Sequence, residues 1–563
     1  MTRSMVRVAD FETTTDPDDC RVWAYSICDI PTLSVTYGTS LYDFFREIWN
    51  QNSIVYFHNL AFDGSFILDS LLNHHYVHTT EQFVRKGEFT TLISKDGKFY
   101  SITVRWPNGK QTEFRDSFKK LPMGVSRIAK AFQLEESKLK IDYDAPRPIG
   151  HTLTDEEIDY ITNDVVIVAK ALMQQFDSGM TRLTVGSDSL HMYKKLNPSF
   201  DKEFPVLPYD MDADIRLAYR GGFTYADTRF KGKVVGNGKV YDVNSLYPSV
   251  MYNCLLPYGF PVWCDGAPEI SDEYPLYIAS ITFTAKLKPN HIPCIQLKAS
   301  SFYLPTDYVS DISEPTTMSL TNVDFDLWSE QYDMEVLSWN GAWLFHGEKG
   351  FFRDYIDYWM DIKQKSTGGL REIAKLHLNA LYGKFATNPD VTRKIPELEN
   401  HILRLHTGDA ELRNPVYTPM GVFITAYARD KTIRAAQDHY DIFAYADTDS
   451  LHLLTDTHPN DLDIDSQRLG AWKHEKDFDS AIFVRAKCYS EHTGICHCDL
   501  EESSDHDRGC GYETHVAGLP AAVAKDVRFD DFYDGHVFPG KLLPKRVPGG
   551  IVLLDVGFTL NTN

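Results

Sequence analysis

The sequence predicts a multidomain protein of mixed α/β and α+β class, and three observations lead to this class. Its 563 residues correspond to roughly three or four domains at ~150 residues per domain. Apolar and polar residues alternate over residues 5–12, as in a strand with one buried face. A helix with one apolar stripe follows a capping box formed by Thr154 and Glu157. Strands and helices therefore share a first unit over residues 1–185.

The composition is that of a globular protein with an acidic excess. Hydrophobic residues make up 43% and charged residues 24%, which excludes disordered and fibrous classes. A net charge of -22 excludes a uniformly basic nucleic-acid coat, although a local basic groove is compatible with it. No apolar run approaches the ~18 residues of a membrane span, and the first residues lack a signal peptide. Nine cysteines, few and odd in number, suit a reducing compartment. We expect a soluble cytoplasmic protein with no membrane association.

The remaining elements follow in chain order. A second strand is predicted at Ser53–Phe57, with Asp63 at the end of that strand segment. The helix after Thr154 is expected to bury Ile158, Ile161, Val165, Val168 and Leu172. Further segments are predicted as a strand at Lys239–Val243, a helical region at Phe351–Phe385, a hairpin within Asp441–Leu454 and a strand at Ile551–Leu554.

A first set of carboxylates is spread over three of the predicted elements. Asp10 and Glu12 are two apart on a strand and share a face. Tyr160 and Asp164 are four apart on a helix and also share a face. Together with Asp63, these acids could converge on two divalent ions about 4 Å apart, a site suited to phosphodiester hydrolysis. The alternative is that each acid is a solvated surface residue.

A second set of carboxylates lies about 200 residues downstream. Asp242 follows a strand, and Asp447 and Asp449 lie in the predicted hairpin, so a second two-metal centre is possible. Between them, one helix face presents two cations, an amide and an aromatic ring, suited to a triphosphate and a base: Arg371, Lys375, Asn379 and Tyr382. The opposite, buried side is expected to hold Ile373, Leu376, Ala380 and Leu381. The alternative is a solvated amphipathic helix.

The first set resembles the three motifs of a DEDD-type 3′–5′ proofreading exonuclease. The resemblance lies in Asp10–Thr13, Asn59–Asp63 and Tyr160–Asp164. It implies that the four acids bind metals, that Tyr160 orients water and that Lys138 assists the reaction. It also assigns residues to the single-stranded 3′ end, namely Thr13, His58, Asn59, Phe62, Phe66 and Ser117. Phe118 departs from the leucine that the family would have.

The second set is similar to motifs A, B and C of family B DNA polymerases. These motifs correspond to Asp242–Pro248, Lys375–Gly383 and Tyr445–Ser450. Further agreement comes from Tyr219–Gly222, Lys487–Tyr489, Thr418–Phe423 and Val547–Gly550. The resemblance covers essentially the whole chain and is closest to the protein-primed subfamily. The sequence departs from the family at Ala446, often a cysteine, and at Arg371, expected to be lysine, where a planar fork replaces a point charge.

This resemblance implies roles for individual residues. Metal ligands would be Asp242, Asp449 and Val243, with Asp447 in support. Lys363, Arg371 and Lys375 would neutralise the incoming dNTP, and its pocket would include Asn379, Tyr247 and Tyr382. Tyr247 would exclude a ribose 2′-hydroxyl. The primer-template contacts would be Tyr219, Gly221, Gly222, Lys487 and Tyr489. Each active site would use two Mg²⁺ or Mn²⁺ ions, because oxygen ligands accept both metals.

The resemblance also implies a domain order and partners. An RNase H-like exonuclease domain would be followed by a right-hand polymerase domain with two insertions. The ranges are 1–185 for the exonuclease, 186–253 and 415–520 for the palm, 254–350 for terminal-protein region 1, 351–389 for the fingers, 390–414 for terminal-protein region 2 and 521–563 for the thumb. The chain would replicate a linear phage or plasmid genome in a bacterial host, as a monomer or as a heterodimer with a terminal protein primer.

Two other functions remain open, and one signal is set aside. The chain could be a nucleic-acid-primed polymerase, which the two insertions disfavour, or a non-catalytic DNA-binding relic, which the two acid sets disfavour. A local cluster could hold a structural zinc ion, but its Cys-x-Cys spacing departs from the usual pattern. Its members are Cys488, His492, Cys496, His497, Cys498 and Cys510. We interpret that segment as a polar surface insertion.

Overall fold

Two sheets organise the chain: an eight-stranded mixed sheet near the amino terminus and a five-stranded antiparallel sheet in the middle. The computed structural model describes residues 4–81, 83–143, 145–297, 307–495 and 510–562. The predicted mixed α/β and α+β class is confirmed over these residues, since the first unit alternates strands and helices while the later sheets are antiparallel.

The first unit is built on the eight-stranded sheet, whose order is β3-β2-β1-β4-β8-β7-β6-β5. Strand β1 lies inside the sheet, antiparallel to β2 and parallel to β4. The predicted strands over residues 5–12 and 53–57 are confirmed. The elements are β1 Met5–Thr13, β2 Val22–Ile30, β3 Val35–Gly38, α1 Leu41–Ile48, β4 Ser53–Phe57, α2 Leu60–Asn73, β5 Val77–His78, β6 Glu88–Ile93, β7 Phe99–Arg105, β8 Gln111–Asp116, α3 Val125–Ala131 and α4 Asp155–Asp177.

The capping box that starts α4 is confirmed in both directions. The Thr154 hydroxyl accepts a hydrogen bond from the Glu157 backbone N–H at 3.2 Å. The Glu157 carboxylate accepts one from the Thr154 N–H at 3.1 Å. Of the predicted apolar stripe, Ile161, Val165, Val168 and Leu172 are buried and Ile158 is half-buried.

The placement of Asp63 at the end of a strand is wrong. Strand β4 ends at Phe57, and Asn59 then takes a left-handed conformation with φ 76°. Helix α2 begins directly after it at Leu60, so Asp63 lies in the first turn of a helix. The helix amide ends at this position favour a negative charge, which a strand would not provide.

The middle of the chain contributes short helices, the first strands of the five-stranded sheet and the first strand, β10, of a neighbouring four-stranded sheet. These are α5 Val185–Leu196, α6 Phe200–Glu203, α7 Tyr209–Arg216, β9 Thr224–Ala226, β10 Val234–Val235, β11 Gly238–Val243 and α8 Leu246–Asn253. A separate four-stranded sheet of order β12-β15-β13-β14 follows, with one helix across it. Its elements are β12 Leu256–Cys264, β13 Leu276–Leu287, β14 Asp311–Thr321, α9 Asn322–Gln331 and β15 Tyr332–Glu348.

The predicted helical region at Phe351–Phe385 is two helices rather than one. These are α10 Arg353–Lys365 and α11 Gly368–Phe385. The chain breaks because Ser366 and Thr367 are extended, with ψ of 160° and 174°. Lys363 and Arg371 therefore lie on different helices. On α11, Ile373 and Leu381 are buried as expected, whereas Leu376 and Ala380 are half-buried.

The rest of the chain completes the central sheet and adds smaller hairpins. The five-stranded sheet has the order β20-β11-β19-β18-β9, and a four-stranded sheet of order β10-β21-β22-β23 lies beside it. The predicted hairpin within 441–454 and the strand at 551–554 are confirmed. The elements are β16 Asp390–Glu399, β17 Ile402–Leu412, α12 Thr418–Asp438, β18 Phe443–Asp447, β19 Ser450–Leu453, β20 Trp472–Phe478, β21 Ser480–Arg485, β22 Cys488–His492, β23 Tyr512–Val516, α13 Ala521–Ala524, β24 Val537–Phe538, β25 Leu542–Val547, β26 Gly550–Asp555 and β27 Phe558–Thr559.

One hydrophobic core links the first unit to the middle of the chain. Side chains of α4, such as Val165 and Leu172, pack in the same cluster as Phe352, Leu378 and Leu381 of the α10–α11 region. Within the described residues, no helix combines the length and apolarity that crossing a bilayer requires.

Candidate active sites

Four carboxylates of the first unit converge from three elements, and we call Asp10, Glu12, Asp63 and Asp164 the amino-terminal acidic cluster. Strand β1 supplies the first two, α2 the third and α4 the fourth. The Asp63 carboxylate accepts a hydrogen bond from the Phe11 N–H at 3.2 Å, which ties α2 to β1. The four acids that the sequence pattern predicted to converge thus lie near one another in the structure.

The carboxylates of the amino-terminal acidic cluster repel one another and have raised pKa values. Burial raises the pKa of Asp10 to about 7, and the charge of Asp164 adds to the shift. Burial also raises the pKa of Glu12 and of Asp63, and Asp10 raises both further. Opposite charge is therefore needed here to keep all four carboxylates ionised together.

Lys138 and Tyr160 border this cluster, as predicted. The Lys138 ammonium lies 3.1 Å from an Asp164 carboxylate oxygen. Burial by itself lowers the pKa of Lys138, but Asp164, with smaller contributions from Tyr143 and Asp10, makes the net shift upward. The Tyr160 hydroxyl is 2.6 Å from that of Tyr143, and burial raises the pKa of Tyr160. Tyr143 lies on the irregular segment that carries Lys138, and the sequence predicted no role of its own for it.

The residues predicted to contact a single strand differ in their exposure. Asn59 is exposed, whereas Thr13, His58 and Phe62 are half-buried. Ser117 is buried, and its hydroxyl lies 3.0 Å from Nδ1 of His58. Ser117 therefore contacts His58 from the protein interior and does not reach the surface.

Two aromatic residues next to this surface have contrasting positions. Phe66 is buried beneath Phe62, with ring centroids 5.7 Å apart. Phe118 is 39% exposed, and its ring lies 5.4 Å from that of His58. An exposed aromatic face is the kind of platform on which bases stack. Phe118 is thus a candidate binding residue that the family comparison had treated only as a departure.

A second group of carboxylates lies on the five-stranded sheet, and we call Asp242, Asp447 and Asp449 the central acidic cluster. Asp242 is on β11 and Asp447 ends β18, while Asp449 lies in the turn before β19. The Val243 N–H donates to the Asp449 carbonyl at 2.8 Å, which fixes the two turns together. Burial raises the pKa of Asp242 to about 7, with Asp449 as the next cause.

A cationic group faces this cluster from the α10–α11 helices. The Lys363 ammonium donates to the Ser245 hydroxyl at 3.1 Å. Its pKa is lowered by burial and then by the neighbouring charges of Arg371 and Lys375. All three predicted cations are therefore brought to one place, although two helices supply them. Lys375 also pairs with Glu372 at 2.7 Å.

Lys473 belongs to the same cationic group but was not identified from the sequence. It lies opposite Asp242 in the β11–β20 pairing, and its charge lowers the pKa of Lys363. Only the pairing of strands more than 200 residues apart brings Lys473 here, so no local sequence signal could have identified it.

The predicted nucleotide pocket contains a stacked pair of tyrosines. The rings of Tyr247 and Tyr382 are 3.9 Å apart at 18°. Asn379 is exposed three residues before Tyr382 on the same helix face. Tyr219 is half-buried and close enough that Tyr382 contributes to its raised pKa, after burial.

The Tyr219–Gly222 segment packs directly on the turn of the central cluster. A Cβ at Gly222 would lie 2.7 Å from Oγ1 of Thr448, so no side chain fits there. Gly221 is exposed. The Thr448 N–H donates to the Phe223 carbonyl at 2.6 Å. The absence of a side chain at Gly222 therefore allows this segment to pack against the turn between Asp447 and Asp449.

Lys487 and Tyr489 lie next to the same turn. The Lys487 ammonium is 2.9 Å and 3.0 Å from the two carboxylate oxygens of Asp447. Tyr489 is half-buried, and its ring lies 4.7 Å from that of Tyr445. Lys487 thus neutralises Asp447, which leaves Asp242 and Asp449 as the less compensated acids.

The Cys/His segment interpreted as a polar surface insertion, rather than a zinc site, is only partly within the described residues. Cys496, His497 and Cys498 lie outside them. His492 pairs with Asp479 at 2.8 Å, and Cys488 is buried in β22.

Both acidic clusters have the chemistry of divalent-metal sites. Within the described ranges, no group of three or more His, Cys, Asp and Glu side chains forms a ready-made metal site. Mg²⁺ is, however, usually held by one or two carboxylates together with substrate phosphates. A buried oxygen of Asp164 has no hydrogen-bond partner among the described residues, and Asp10 and Asp242 are strained by neighbouring acids. The donor sets therefore fit divalent cations.

Comparison with known proteins agrees with this architecture over the full length. A family model described as DNA polymerase type B, organellar and viral, matches residues 45–149 and 146–467. The DNA polymerase of Bacillus phage Nf is 43% identical, with 100% of both chains covered. That of Bacillus phage phi29 is 42% identical over 98% of each chain. The structure of phi29 DNA polymerase with primer-template DNA and incoming nucleotide matches with a TM-score of 0.92 at 40% identity, covering 99% of this chain and 100% of that one.

The chain therefore belongs to the family of type B DNA polymerases. Within that family it is a DNA-directed DNA polymerase of the phi29 type. Membership of this family implies the use of divalent metal ions, in agreement with the donor sets of both clusters.

Proposed function

We propose that the chain joins DNA synthesis at the central acidic cluster to 3′–5′ proofreading at the amino-terminal acidic cluster. The observation that carries this proposal is the presence in one chain of two separate carboxylate sets, each with acids that repel one another. Each set would bind two Mg²⁺ or Mn²⁺ ions. Metal ions at such sites stabilise the attacking and leaving oxygens during phosphoryl transfer.

During synthesis, the residues around the central cluster would bind and orient the nucleotide. Asp242, Asp449 and the backbone of Val243 would hold the metal ions. Lys363, Arg371, Lys375 and Lys473 would neutralise the triphosphate. The stacked rings of Tyr247 and Tyr382 would form the floor of the sugar and base pocket, together with Asn379.

During proofreading, the first unit would hold a frayed 3′ end. Asn59, Phe62 and Phe118 offer accessible surface beside the acids, whereas Phe66 and Ser117 would act from behind. Tyr160 would orient the attacking water. Lys138, paired with Asp164, would stabilise negative charge that develops on the phosphate.

We further propose strand displacement by a ring of three parts around the DNA. The hairpin β16–β17 buries Leu403 in the core of the first unit, and Ile551 of β26 lies in the same core. Cys20 Sγ contacts the Ile551 carbonyl at 3.6 Å. The hairpin and the carboxyl-terminal segment thus both pack on the first unit, an arrangement suited to enclosing DNA.

A cleft at the base of this hairpin has the charge of a path for single-stranded template. It has a volume of about 460 Å³ and contains several cations and no carboxylate among its described lining residues. The cations are Arg182, Lys194, Lys384 and Arg413. Basic surfaces of this kind track the phosphate backbone.

The proposal also includes initiation of DNA synthesis on a protein primer. The insertion at 254–350 forms its own sheet of the strands β12–β15. It would contact a terminal protein primer together with the hairpin at 390–414. The remaining domain roles would be fingers at 351–389, palm at 186–253 and 415–520, and thumb at 521–563. The protein would act in the cytoplasm of a bacterial host, as a monomer or as a heterodimer with the terminal protein.

Separation of the two activities tests the proposal. We expect Asp449→Ala to reduce nucleotide addition by roughly 10³-fold or more, about 4 kcal/mol of transition-state stabilisation, because a hard oxygen ligand is lost. Its single-strand degradation should remain. The Asp10→Ala/Glu12→Ala variant should show the reverse. Synthesis is measured on a labelled primer-template and degradation on a labelled single strand, each with Mg²⁺. Synthesis at the original rate by Asp449→Ala would contradict the assignment of the central cluster.

A further inference from the structure

The sheet that carries Lys487 and Tyr489 is joined to the central acidic cluster by more than aromatic packing. The Lys487 N–H donates to the Tyr445 hydroxyl at 2.9 Å, and Tyr445 is on β18. The rings of Phe483 and Tyr489 lie against Tyr445 at 5.3 Å and 4.7 Å. Inside this aromatic cage is a polar residue, His452 of β19.

His452 is paired with a carboxylate from the neighbouring sheet. Its Nδ1 lies 2.6 Å from Oε1 of Glu491, and both side chains are essentially inaccessible, at 1% and 0%. An ionised carboxylate only accepts hydrogen bonds, so Nδ1 is the donor. A short contact of this kind to a charged group is among the stronger hydrogen bonds.

A lysine from a third strand completes the arrangement. The Lys476 ammonium of β20 lies 2.8 Å from the other Glu491 oxygen and also contacts the Glu513 carboxylate of β23. Burial alone raises the pKa of Glu491, but His452 and Lys476 together lower it to about 2. Glu491 is therefore charged inside the protein, where it accepts a hydrogen bond from His452 of β19 and pairs with the Lys476 ammonium of β20.

This set also reaches the turn of the central acidic cluster. His452 Nε2 lies 3.3 Å from the Ser450 hydroxyl. The same hydroxyl accepts a hydrogen bond from the Asp447 N–H at 3.2 Å. At the other end, Glu491 is two residues from Tyr489 on β22, so the two side chains lie on one face of that strand.

We propose that His452, Glu491 and Lys476 are positioning residues that fix the primer-binding sheet relative to the acids of the polymerase site. The inference rests on the proposed function, in which Lys487 and Tyr489 hold the primer. A buried charge is tolerated only with its partners in place, so the three residues permit one register between the two sheets. This register would set where the primer 3′ end lies relative to Asp242 and Asp449.

The proposal distinguishes positioning from simple stabilisation. A loss of general stability would lower synthesis and single-strand degradation together. A misplaced primer terminus would instead raise the KM for primer-template and favour degradation over synthesis at a given dNTP concentration. A displacement of about 1 Å at a reacting centre can cost on the order of 100-fold in rate.

Glu491→Gln is the main variant, and Asp479→Asn is its matched control. The control removes the carboxylate of another histidine pair, His492–Asp479, which involves the same strand β22 but is largely exposed. We expect Glu491→Gln to raise the KM for primer-template by at least about tenfold. Its degradation of single strands should change less than twofold, and the control should match the original protein in both assays.

A double variant tests whether the residues act as one unit. His452→Gln with Glu491→Gln should be no worse than the worse of the two single variants, because coupled residues are not additive. Additive losses, an unchanged KM, or equal losses of both activities would each overturn the inference. Lys476→Met provides the same test from the more accessible end of the set, should Glu491→Gln fail to fold.

Failure of the inference is distinguishable from failure of the proposed function. An unchanged KM in Glu491→Gln, with Asp449→Ala inactive in synthesis, would reject the positioning role alone. Normal synthesis by Asp449→Ala would reject the polymerase site on which the inference depends.

Discussion

At the scale of single residues, the turns that carry the proposed sites adopt left-handed backbone without glycine. Asn59, Ser245, Thr448 and Lys487 have φ of 76°, 55°, 60° and 56°. Such conformations cost roughly 1–3 kcal/mol each and persist where the surroundings enforce them. Thr448 is the most unusual, because it is β-branched. These turns direct Asp63, Tyr247, Asp449 and Tyr489 into their sites at some cost in stability.

The Tyr247 ring gives a prediction at this scale. In Tyr247→Val the stack on Tyr382 is lost and space opens where a ribose 2′-hydroxyl would lie. We expect ribonucleotide incorporation to rise by about 10- to 100-fold relative to deoxynucleotide incorporation. Single-nucleotide kinetics with paired ribo- and deoxynucleotides measure this ratio. Tyr247→Phe keeps the ring and is the control, and unchanged discrimination in the valine variant would remove Tyr247 from this role.

At the scale of elements, the hairpin β16–β17 is attached to the first unit at several points. Leu403 is fully buried there, and Arg393 forms an isolated bridge with Ser94. The ends of the hairpin are close together, since the Arg413 N–H donates to the Pro389 carbonyl at 2.9 Å. The hairpin can therefore be removed without forcing its flanking residues apart.

Deletion of residues 391–412 is the corresponding prediction. Filling of one nucleotide on a short primer should persist, because the hairpin contributes no residue to either acidic cluster. Long strand-displacing synthesis and initiation on a terminal protein should be severely reduced. Product length on primed circular DNA measures strand-displacing synthesis. The control is Asn400→Gly/His401→Gly, which retains the left-handed two-residue turn. Full displacement by the deletion variant would refute the ring and favour nucleic-acid priming.

At the scale of the whole molecule, the carboxyl-terminal segment closes onto the first unit through glycines. A Cβ on Gly550 would lie 2.3 Å from the Phe66 ring, and one on Gly549 would lie 2.4 Å from the Cys20 carbonyl. Residues more than 450 positions apart in the chain are thus in direct contact beside the proposed proofreading site. Movement of the carboxyl-terminal segment should therefore affect the first unit, and movement of the first unit should affect that segment.

Gly550→Val tests this contact. Overpacking against Phe66 should destabilise the protein by about 1–3 kcal/mol and alter the degradation of mismatched primer ends more than that of free single strands. Melting temperature and the two degradation rates are the measurements. Gly535→Val is the control, since Gly535 also has positive φ, at 80°, and no atom of the described residues lies within 4 Å of its added Cβ. Equal effects from both variants would indicate backbone strain alone.

Local patterns in the sequence were sufficient to place the acids of both clusters except Asp63, and most of the surrounding elements. Asp10 with Glu12, and Tyr160 with Asp164, could be placed because strand and helix periods determine which neighbours share a face. The capping box at Thr154 and the hairpin around Thr448 are likewise short-range features.

Tertiary structure alone decided the remaining features. Asp63 was misplaced because a left-handed turn at Asn59 starts a helix where the pattern suggested a strand. Lys473 reaches the central cluster only through strand pairing. The His452–Glu491 pair and the Gly550–Phe66 contact join residues 39 and 484 positions apart. The physical reason is that sequence periodicity specifies which face of an element is buried, whereas the partner on that face depends on how distant segments pack.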